Sequence, residues 1–319
     1  MKTKSSVLVI FLSLLLLLAS CSINKMAINA VSNALTGTGS ADVFTGDSDP
    51  ELVGGALPFA IKMYEALLAQ NPEHQGLLLT TGSLFVMYAN AFVQGPAEQM
   101  DSIDYYEERL EGLDRAKKLY LRGTTLLYSA LDKKYPGFSA ATVTEGTLDP
   151  LLKKCKKEDV PLLYWTVAGG LAAYSIDVFD FSLGSAIPEW GAMIARAYEL
   201  DPDFNNGAID DFYILYYASL PEILGGDKAK AELHYKRALE KTRGLAAGPY
   251  VSYAQAICIP AQDYDSFKEN LEKALAIDPD EDPSTRLVNT LSQRKARYML
   301  ENAYEYFSFL PFEGGEDDY

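Results

Sequence analysis

One short pattern recurs along the chain and restricts it to helices. The stretches "AIKMYEALLAQNP", "WGAMIARAYELDP" and "FKENLEKALAIDP" each place apolar residues four and then three positions apart, with a proline five positions later. Such spacing puts side chains on one helical face, and proline ends the helix because it cannot continue it. The residues are Ala60, Met63/Tyr64, Leu67 and Pro72; Trp190, Ile194, Ala197 and Pro202; and Phe267, Leu271, Ala274 and Pro279.

A fourth copy, "AELHYKRALEKT", keeps Ala231, Tyr235 and Ala238 but ends at Gly244. The last three copies lie 41 and 36 residues apart, close to the roughly 34-residue period of tetratricopeptide repeats. The first copy is 130 residues away from the second, so the repeat is degenerate. The pattern predicts an all-α fold, a superhelical array of helix pairs with one concave face.

Helical periodicity continues through nearly the whole chain after residue 56, and strand alternation never extends beyond a few residues. The expected helices lie near 56–70, 76–94, 98–133, 160–181, 186–200, 206–220, 227–242, 248–258, 263–276 and 283–308.

The first 21 residues have the pattern of a bacterial lipoprotein signal. Lys2 and Lys4 precede an apolar run over 7–18, and "LAS" leads directly into Cys21. The run is shorter than the roughly 20 apolar residues that a membrane span needs. A plain signal peptide or an uncleaved anchor are the alternatives. We expect lipidation of Cys21, which would hold the protein at the periplasmic face of a bacterial membrane, inner or outer.

These patterns divide the chain into four parts. Residues 1–20 form the signal peptide, and 21–55, with five glycines between Gly37 and Gly55, form a lipidated tether. Residues 56–310 form one all-helical domain. The acidic end at 311–319 forms a tail.

Charge and cysteine content limit the partners. With 28 basic and 44 acidic residues the formal net charge is −16, which disfavours contact of the folded body with nucleic acid or anionic lipid headgroups. The membrane contact we expect is therefore the lipid anchor alone. Cys155 and Cys258 could pair in an oxidising compartment, but two buried free thiols are the favoured interpretation.

No catalytic or metal-binding motif is evident. Asp278, Asp280 and Asp282 begin like a calcium loop, but Pro283 and Asn289 occupy the positions where glycine and glutamate are needed. Ser284 is a candidate cap for the following helix. His74 and His234 are the only histidines, and we expect both to be surface or packing residues. We therefore expect no cofactor, no metal and no enzymatic activity.

Polar and aromatic residues inside otherwise apolar helices are the remaining feature. They suggest a pocket or pore with apolar walls and inward amide groups. For each amide alone, joining helices across the core is the favoured alternative. The ligand or pore candidates are Asn90, Gln94, Tyr164, Trp165, Tyr250, Tyr253, Gln255, Asn289, Gln293 and Arg294.

Several long segments together resemble a known family. "YANAFVQ", "LLYWTVAGG", "ELDPDFNNGAIDDF", "GGDKAKAELHYKRALEKTRGLAAGPYVSYAQA" and "ALAIDPDEDPSTRLVNTLSQRKARYMLENAYEYF" are similar to the TatT proteins, periplasmic lipoproteins associated with TRAP transporters. The resemblance implies cryptic tetratricopeptide repeats, a homotrimer, a pore through each protomer and an apolar ligand. It also implies a complex with the solute-binding subunit of a tripartite ATP-independent periplasmic transporter, and it supplies no catalytic motif.

Two functions remain open at this stage. The protein could be an accessory transport component that gathers or passes a hydrophobic organic acid to the solute receptor. Alternatively it could be an envelope scaffold lipoprotein whose repeats assemble other proteins and bind no small molecule. A cavity lined by Tyr164, Trp165, Asn90 and Gln255 would favour the first.

Overall fold

The computed structural model describes residues 28–37, 39, 42–100, 104–144 and 146–310, and the regular structure in these ranges is entirely helical. The predicted all-α class is confirmed. Cys21, the predicted signal peptide (1–20) and the predicted acidic tail (311–319) lie outside the described residues.

The longer helices follow one another with short connections. They are α1 (Pro50–Gln70), α2 (Gln75–Ala89), α3 (Tyr106–Lys134), α4 (Val160–Ile176), α5 (Ile187–Leu200), α6 (Ala208–Ser219), α7 (Lys228–Thr242), α8 (Ala247–Tyr253), α9 (Tyr264–Ala276) and α10 (Arg286–Glu301). A π-helical turn, Asn90–Gln94, extends α2 into Gly95–Glu98, and a second, Ala254–Cys258, extends α8 into Ile259–Ala261.

Helix α1 begins six residues earlier than the sequence pattern predicts. The Asp49 carboxylate accepts a hydrogen bond from the Leu52 N–H at 3.0 Å, and Pro50 occupies the first helical position. A Cβ on Gly54 would lie 2.7 Å from the Phe92 ring, so this glycine lets α1 approach the end of α2 closely. The predicted tether boundary at residue 55 therefore falls inside α1.

The start of α10 also differs from the prediction. Residues Pro283–Thr285 form a 3₁₀ turn, and α10 begins after it. Asp282 caps the 3₁₀ turn, with its carboxylate accepting a hydrogen bond from the Ser284 N–H at 3.1 Å. The prediction of Ser284 as the cap of α10 was wrong, because Ser284 lies inside that turn and the cap position of α10 is Thr285, whose side chain makes no capping hydrogen bond.

Two hydrophobic clusters form the interior. The first runs from α1 to α6 and includes the signature residues Trp190, Ile194 and Ala197. The second is smaller, is built by α8 to α10, and includes Phe267 and Leu271. Helix α6 packs against both α7 and α8, so it stands where the two clusters meet.

Two helical segments are long and apolar enough to cross a membrane by length and composition, Pro50–Gln70 and Gln75–Glu98. In the folded chain α2 packs against both α1 and α3, and half of the most apolar 18-residue stretch of Gln75–Glu98 is buried. The apolar composition of α2 therefore follows from its position in the core.

The last long helix contacts the beginning of the described chain. Arg294 pairs with the Glu51 carboxylate through two contacts, one of 3.0 Å between Nη2 and Oε2. Arg286 donates to the Gly46 carbonyl at 2.9 Å. These contacts close the fold between residues about 240 positions apart.

Candidate functional site

Helix α6 begins with two adjacent aspartates, and the first has polar or charged neighbours at both oxygens, although its Oδ2 makes an ion pair and no well-formed hydrogen bond. Asp210 is buried, with Oδ1 2.6 Å from His234 Nδ1 and 3.1 Å from the Tyr198 hydroxyl. Its Oδ2 lies 2.7 Å from Lys241 Nζ. Burial alone would raise the pKa of Asp210, but the contacts with His234 and Lys241 together hold it below its usual value. This network joins α5, α6 and α7.

The second aspartate has the opposite environment. Asp211 Oδ1 is inaccessible to solvent and has no hydrogen-bond partner, although the residue as a whole keeps partial exposure. Burial raises the pKa of Asp211 to about 6, against the lowering influence of the Ser252 hydroxyl and the Lys295 ammonium. The carboxyl group is thus enclosed by protein and incompletely satisfied.

Helices α8 and α10 of the second cluster face this carboxyl group. A Cβ built on Gly248 would lie 2.9 Å from Asp211 Oδ2 and 4.0 Å from the Ser292 hydroxyl. Only glycine at this position leaves the carboxylate its present room. Lys295 follows Ser292 by three positions on α10, so the two side chains share a helical face.

Aromatic rings on the α4 side complete the surroundings. Burial raises the pKa of Tyr164, and the Asp211 charge raises it further. The Tyr164 ring contacts those of Trp165, Phe204 and Phe212, with centroids 5.2, 5.2 and 6.2 Å away. We call this set the Asp211 site, defined by Tyr164, Asp211, Gly248, Ser252, Ser292 and Lys295, each of which keeps partial exposure.

Two of the predicted ligand residues, Asn90 and Gln94, lie on the π turn after α2. The Tyr120 hydroxyl donates to Gln94 Oε1 at 2.6 Å, and Gln94 Nε2 donates to Glu98 at 2.7 Å. Asn90 is exposed and lies close enough to Tyr120 to influence its hydroxyl. This pair therefore connects α2 to α3.

Three further candidates lie on α8 and its π turn. Tyr253 stacks on Tyr235 of α7 at 4.2 Å, and Tyr250 meets the same ring at 6.2 Å. Gln255 is exposed. These aromatic contacts join α7 to α8.

The three candidates on α10 use their polar atoms to join elements. Asn289 is buried, accepts from the Ala247 N–H at 2.9 Å and donates to the Leu245 carbonyl at 2.9 Å. Gln293 donates to the carbonyls at the end of α9, including Ile277 at 2.7 Å. Arg294 is exposed and pairs with Glu51.

Of the ten candidates, only Tyr164 belongs to the Asp211 site, with Trp165 packed behind it. Sequence reasoning missed Asp211, Ser252 and Lys295. The adjacent aspartates of "GAIDDF" were visible, but carboxylates are frequent in so acidic a chain. Which of the two lacks partners depends on contacts with distant helices.

The histidines and cysteines have structural surroundings. His74 caps α2 by accepting from the Leu77 N–H at 3.1 Å, and His234 is buried against Asp210. Cys155 and Cys258 are free, buried and in different clusters, and burial raises their pKa values to about 11 and about 12. Within the described ranges no three His, Cys, Asp or Glu side chains are grouped to hold a metal ion.

Comparison with known proteins identifies the family. The model of the TRAP transporter T-component family matches residues 46–307. An uncharacterized protein of Treponema pallidum (strain Nichols) is 37% identical over an alignment of 310 positions, which covers 92% of this chain and 94% of that protein. The family is a family of transporter accessory components and not of enzymes. This chain belongs to the TRAP transporter T-component family.

Proposed function

We propose that this protein is the lipid-anchored accessory component of a TRAP-type transport system, where it binds the solute-binding subunit and an apolar organic ligand. The observation that carries the proposal is the family match, which extends over 46–307 and thus over nearly the whole described fold. The expected ligand class is a hydrophobic organic acid, as the family resemblance suggests.

The anchor is the first part of the proposal. Residues 1–20 act as a signal peptide, Cys21 carries the lipid, and the following residues lead from the membrane to the helices. The basic, apolar and small-residue zones before Cys21 support this. The acidic stretch 311–319 is a tail at the other end of the chain.

A Cys21→Ser variant tests the anchor. Serine has no thiol to accept diacylglycerol, so we expect the protein to move from the detergent phase to the aqueous phase in a Triton X-114 partition. Ser22→Ala is the matched control, and it should stay in the detergent phase. Retention of the Cys21→Ser protein in the detergent phase would contradict lipidation at this residue.

Assembly is the second part of the proposal. The repeat signatures have buried faces, as stacked helix pairs of a tetratricopeptide-like superhelix require. Such arrays present concave surfaces for partner proteins, and we take the solute-binding subunit as the partner and a homotrimer as the assembly.

Native mass spectrometry of the mature protein with its cognate solute-binding subunit tests assembly and partner together. We expect a homotrimer alone and a stoichiometric complex after the receptor is added. A bare monomer at micromolar concentration that forms no complex would contradict the transport assignment. Mass retained after purification reports a copurified ligand in the same spectrum.

A further inference from the structure

The starting observation is a helix with two apolar faces. The inner face of α1 packs into the first cluster through residues that include Val53, Leu57 and Ile61. Only a third of the most apolar 18-residue stretch of Pro50–Gln70 is buried, compared with half for Gln75–Glu98. Core packing therefore explains the apolar composition of α2 but leaves much of that of α1 unexplained.

The outer face of α1 is a stripe of exposed apolar side chains. Leu52, Phe59 and Met63 are 61%, 75% and 37% exposed. Ala56 and Ala66 are exposed as well, and the spacing of three, four and seven positions places all five on one side of the helix. We call these five residues the α1 outer face. Contiguous exposed apolar surface of this kind marks contact with a membrane or with another protein.

The charged groups of α1 each have a partner of opposite sign. Glu51, Lys62 and Glu65 are the charged residues of this helix. Lys62 and Glu65 pair with each other at 2.8 Å, and Glu65 also pairs with Arg122. Glu51 pairs with Arg294 at 3.0 Å. The negative charge of the chain is therefore not carried by unpaired groups of α1, and a contact with uncharged headgroups meets no local repulsion.

The segment before α1 is held against this helix. Residues 28–35 are helical, although the sequence pattern predicted a tether here. The Tyr64 hydroxyl of α1 donates to the Leu35 carbonyl at 2.8 Å, and the Asn71 amide at the end of α1 donates to Asn29. The chain is thus docked onto the C-terminal end of α1 from about residue 28 onward.

The connection from this docked segment to the proposed anchor is short. Only residues 22–27 separate it from Cys21. Even fully extended, the chain from Cys21 to Ile28 spans no more than about 25 Å. Helix α1 is itself about 31 Å long. A lipid on Cys21 therefore holds the C-terminal end of α1 within one helix length of the bilayer, which makes the bilayer the apolar partner nearest to the α1 outer face.

We propose that the α1 outer face lies in the interface of the bilayer that holds the Cys21 lipid, with Phe59 at the centre of the contact. Surface helices bury such faces about 5–10 Å deep, at the boundary between headgroups and acyl chains. This inference rests on the anchor part of the proposed function. It adds a membrane contact beyond the lipid, whereas the net charge alone predicted the lipid as the sole contact.

Quenching by brominated lipid tests this contact. Purified lipidated protein with Phe59→Trp is placed in phosphatidylcholine vesicles whose acyl chains are either unmodified or brominated near the headgroups. The emission of Trp165 and Trp190, measured in the unmodified protein, is subtracted. We expect the remaining emission to be roughly twofold weaker in the brominated vesicles, because a ring at this depth meets the bromine atoms.

Phe181→Trp is the matched control. Phe181 is 86% exposed and lies in a short helical turn, Phe181–Gly184, that packs against α4. Its emission should be equal in the two kinds of vesicle. Met63→Trp places a second reporter one turn after Phe59 on the α1 outer face, so the test stands even if one variant folds poorly.

The contrary outcomes are specific. If the protein floats with the vesicles but neither Phe59→Trp nor Met63→Trp is quenched, the α1 contact is overturned and the anchor stands. Equal quenching of Phe181→Trp would overturn the assignment of the contact to α1. A blue-shifted Phe59→Trp emission from the unlipidated mature chain without vesicles would assign the face to a protein contact, such as a second copy. Protein that does not float with the vesicles would remove the anchor and the contact together.

Discussion

Two neighbouring aspartates on α6 occupy opposite environments. Asp210 faces α5 and α7, where Tyr198, His234 and Lys241 supply partners for both its oxygens. Asp211 faces α4, α8 and α10, where Oδ1 has none. Burial acts on both carboxyl groups, yet the pKa of Asp210 falls and that of Asp211 rises to about 6. The direction of each pKa shift is therefore set by the partners that other helices supply. The residue type and its position in the helix are nearly the same for both aspartates.

The difference separates two roles that buried charge has in proteins. A carboxylate held by side chains from several helices locks those helices together, as Asp210 does through Tyr198, His234 and Lys241. A carboxylate that stays under-satisfied carries a stability cost, and groups of this kind concentrate at functional sites. The two assignments, stabilising for Asp210 and destabilising for Asp211, can be tested by mutation.

The largest effect should come from Asp210→Asn. The change removes the carboxylate that Lys241 and the buried His234 contact, leaving Lys241 only the exposed Asp203 as a carboxylate partner among the described residues, and breaking a buried network in this way costs about 3 kcal/mol. Urea denaturation at pH 7.5 measures the free energy of unfolding. A loss below about 1 kcal/mol would show that the network contributes little to stability.

Asp211→Asn should increase the free energy of unfolding, whereas Asp210→Asn decreases it, and the increase should depend on pH. The raised pKa means that the folded state keeps its proton between about pH 4 and about 6 while the unfolded chain has lost it, so Asp211 lowers stability as pH rises through this window. At pH 8 the variant should be more stable by about 2 kcal/mol.

Below about pH 4 the difference between this variant and the unmodified protein should vanish, because Asp211 is then neutral in both states. Denaturation midpoints measured from pH 3.5 to 8 give the whole profile. A variant that is less stable than the unmodified protein at pH 8 would contradict the described environment of Asp211.

Gly248→Ala tests the close approach of the α8 backbone to Asp211. The added methyl group meets Asp211 Oδ2 at 2.9 Å, and we expect a loss of about 1 kcal/mol. Gly55→Ala on α1 is the matched control. A Cβ there meets nothing within 4 Å, so it should gain about 0.5 kcal/mol from helix propensity. Equal effects at the two glycines, measured by thermal unfolding, would remove the steric argument.

Ser252→Ala should produce the smallest change in the free energy of unfolding among these variants. Its hydroxyl lowers the pKa of Asp211, so its loss should raise that pKa further above about 6 with little change in stability at pH 5. Carbon-13 NMR titration of the Asp211 carboxyl group follows the shift directly. A pKa that falls in the variant would show that Ser252 does not favour the charged form.

The sequence supplied the helices because their determinants are local. Apolar spacing and the prolines after Asn71, Asp201 and Asp278 place the ends of α1, α5 and α9 correctly. The start of α1 was missed because the five glycines between Gly37 and Gly55 suggested a tether. The close approach that favours glycine at position 54 depends on Phe92, a neighbour from another element.

The candidate site was less accessible to sequence reasoning. Asn289 and Gln293 looked like ligand-binding amides, but the carbonyls that they satisfy belong to segments 16 to 44 residues away. Asp211 could not be distinguished from other aspartates in the sequence. The absence of a donor for its Oδ1 depends on which side chains three other helices place around it. A pattern within one helix shows which side chains share a face but not what that face meets.

The contacts between α10 and the N-terminal segment have a consequence for biogenesis. Gly46 and Glu51 are synthesised about 240 residues before Arg286 and Arg294, with which they pair. The joint between them can therefore form only after nearly all of the helices have been made. A fragment that ends before α10 lacks the partners of its own N-terminal segment, so this joint is present only in a chain that contains both ends of the fold.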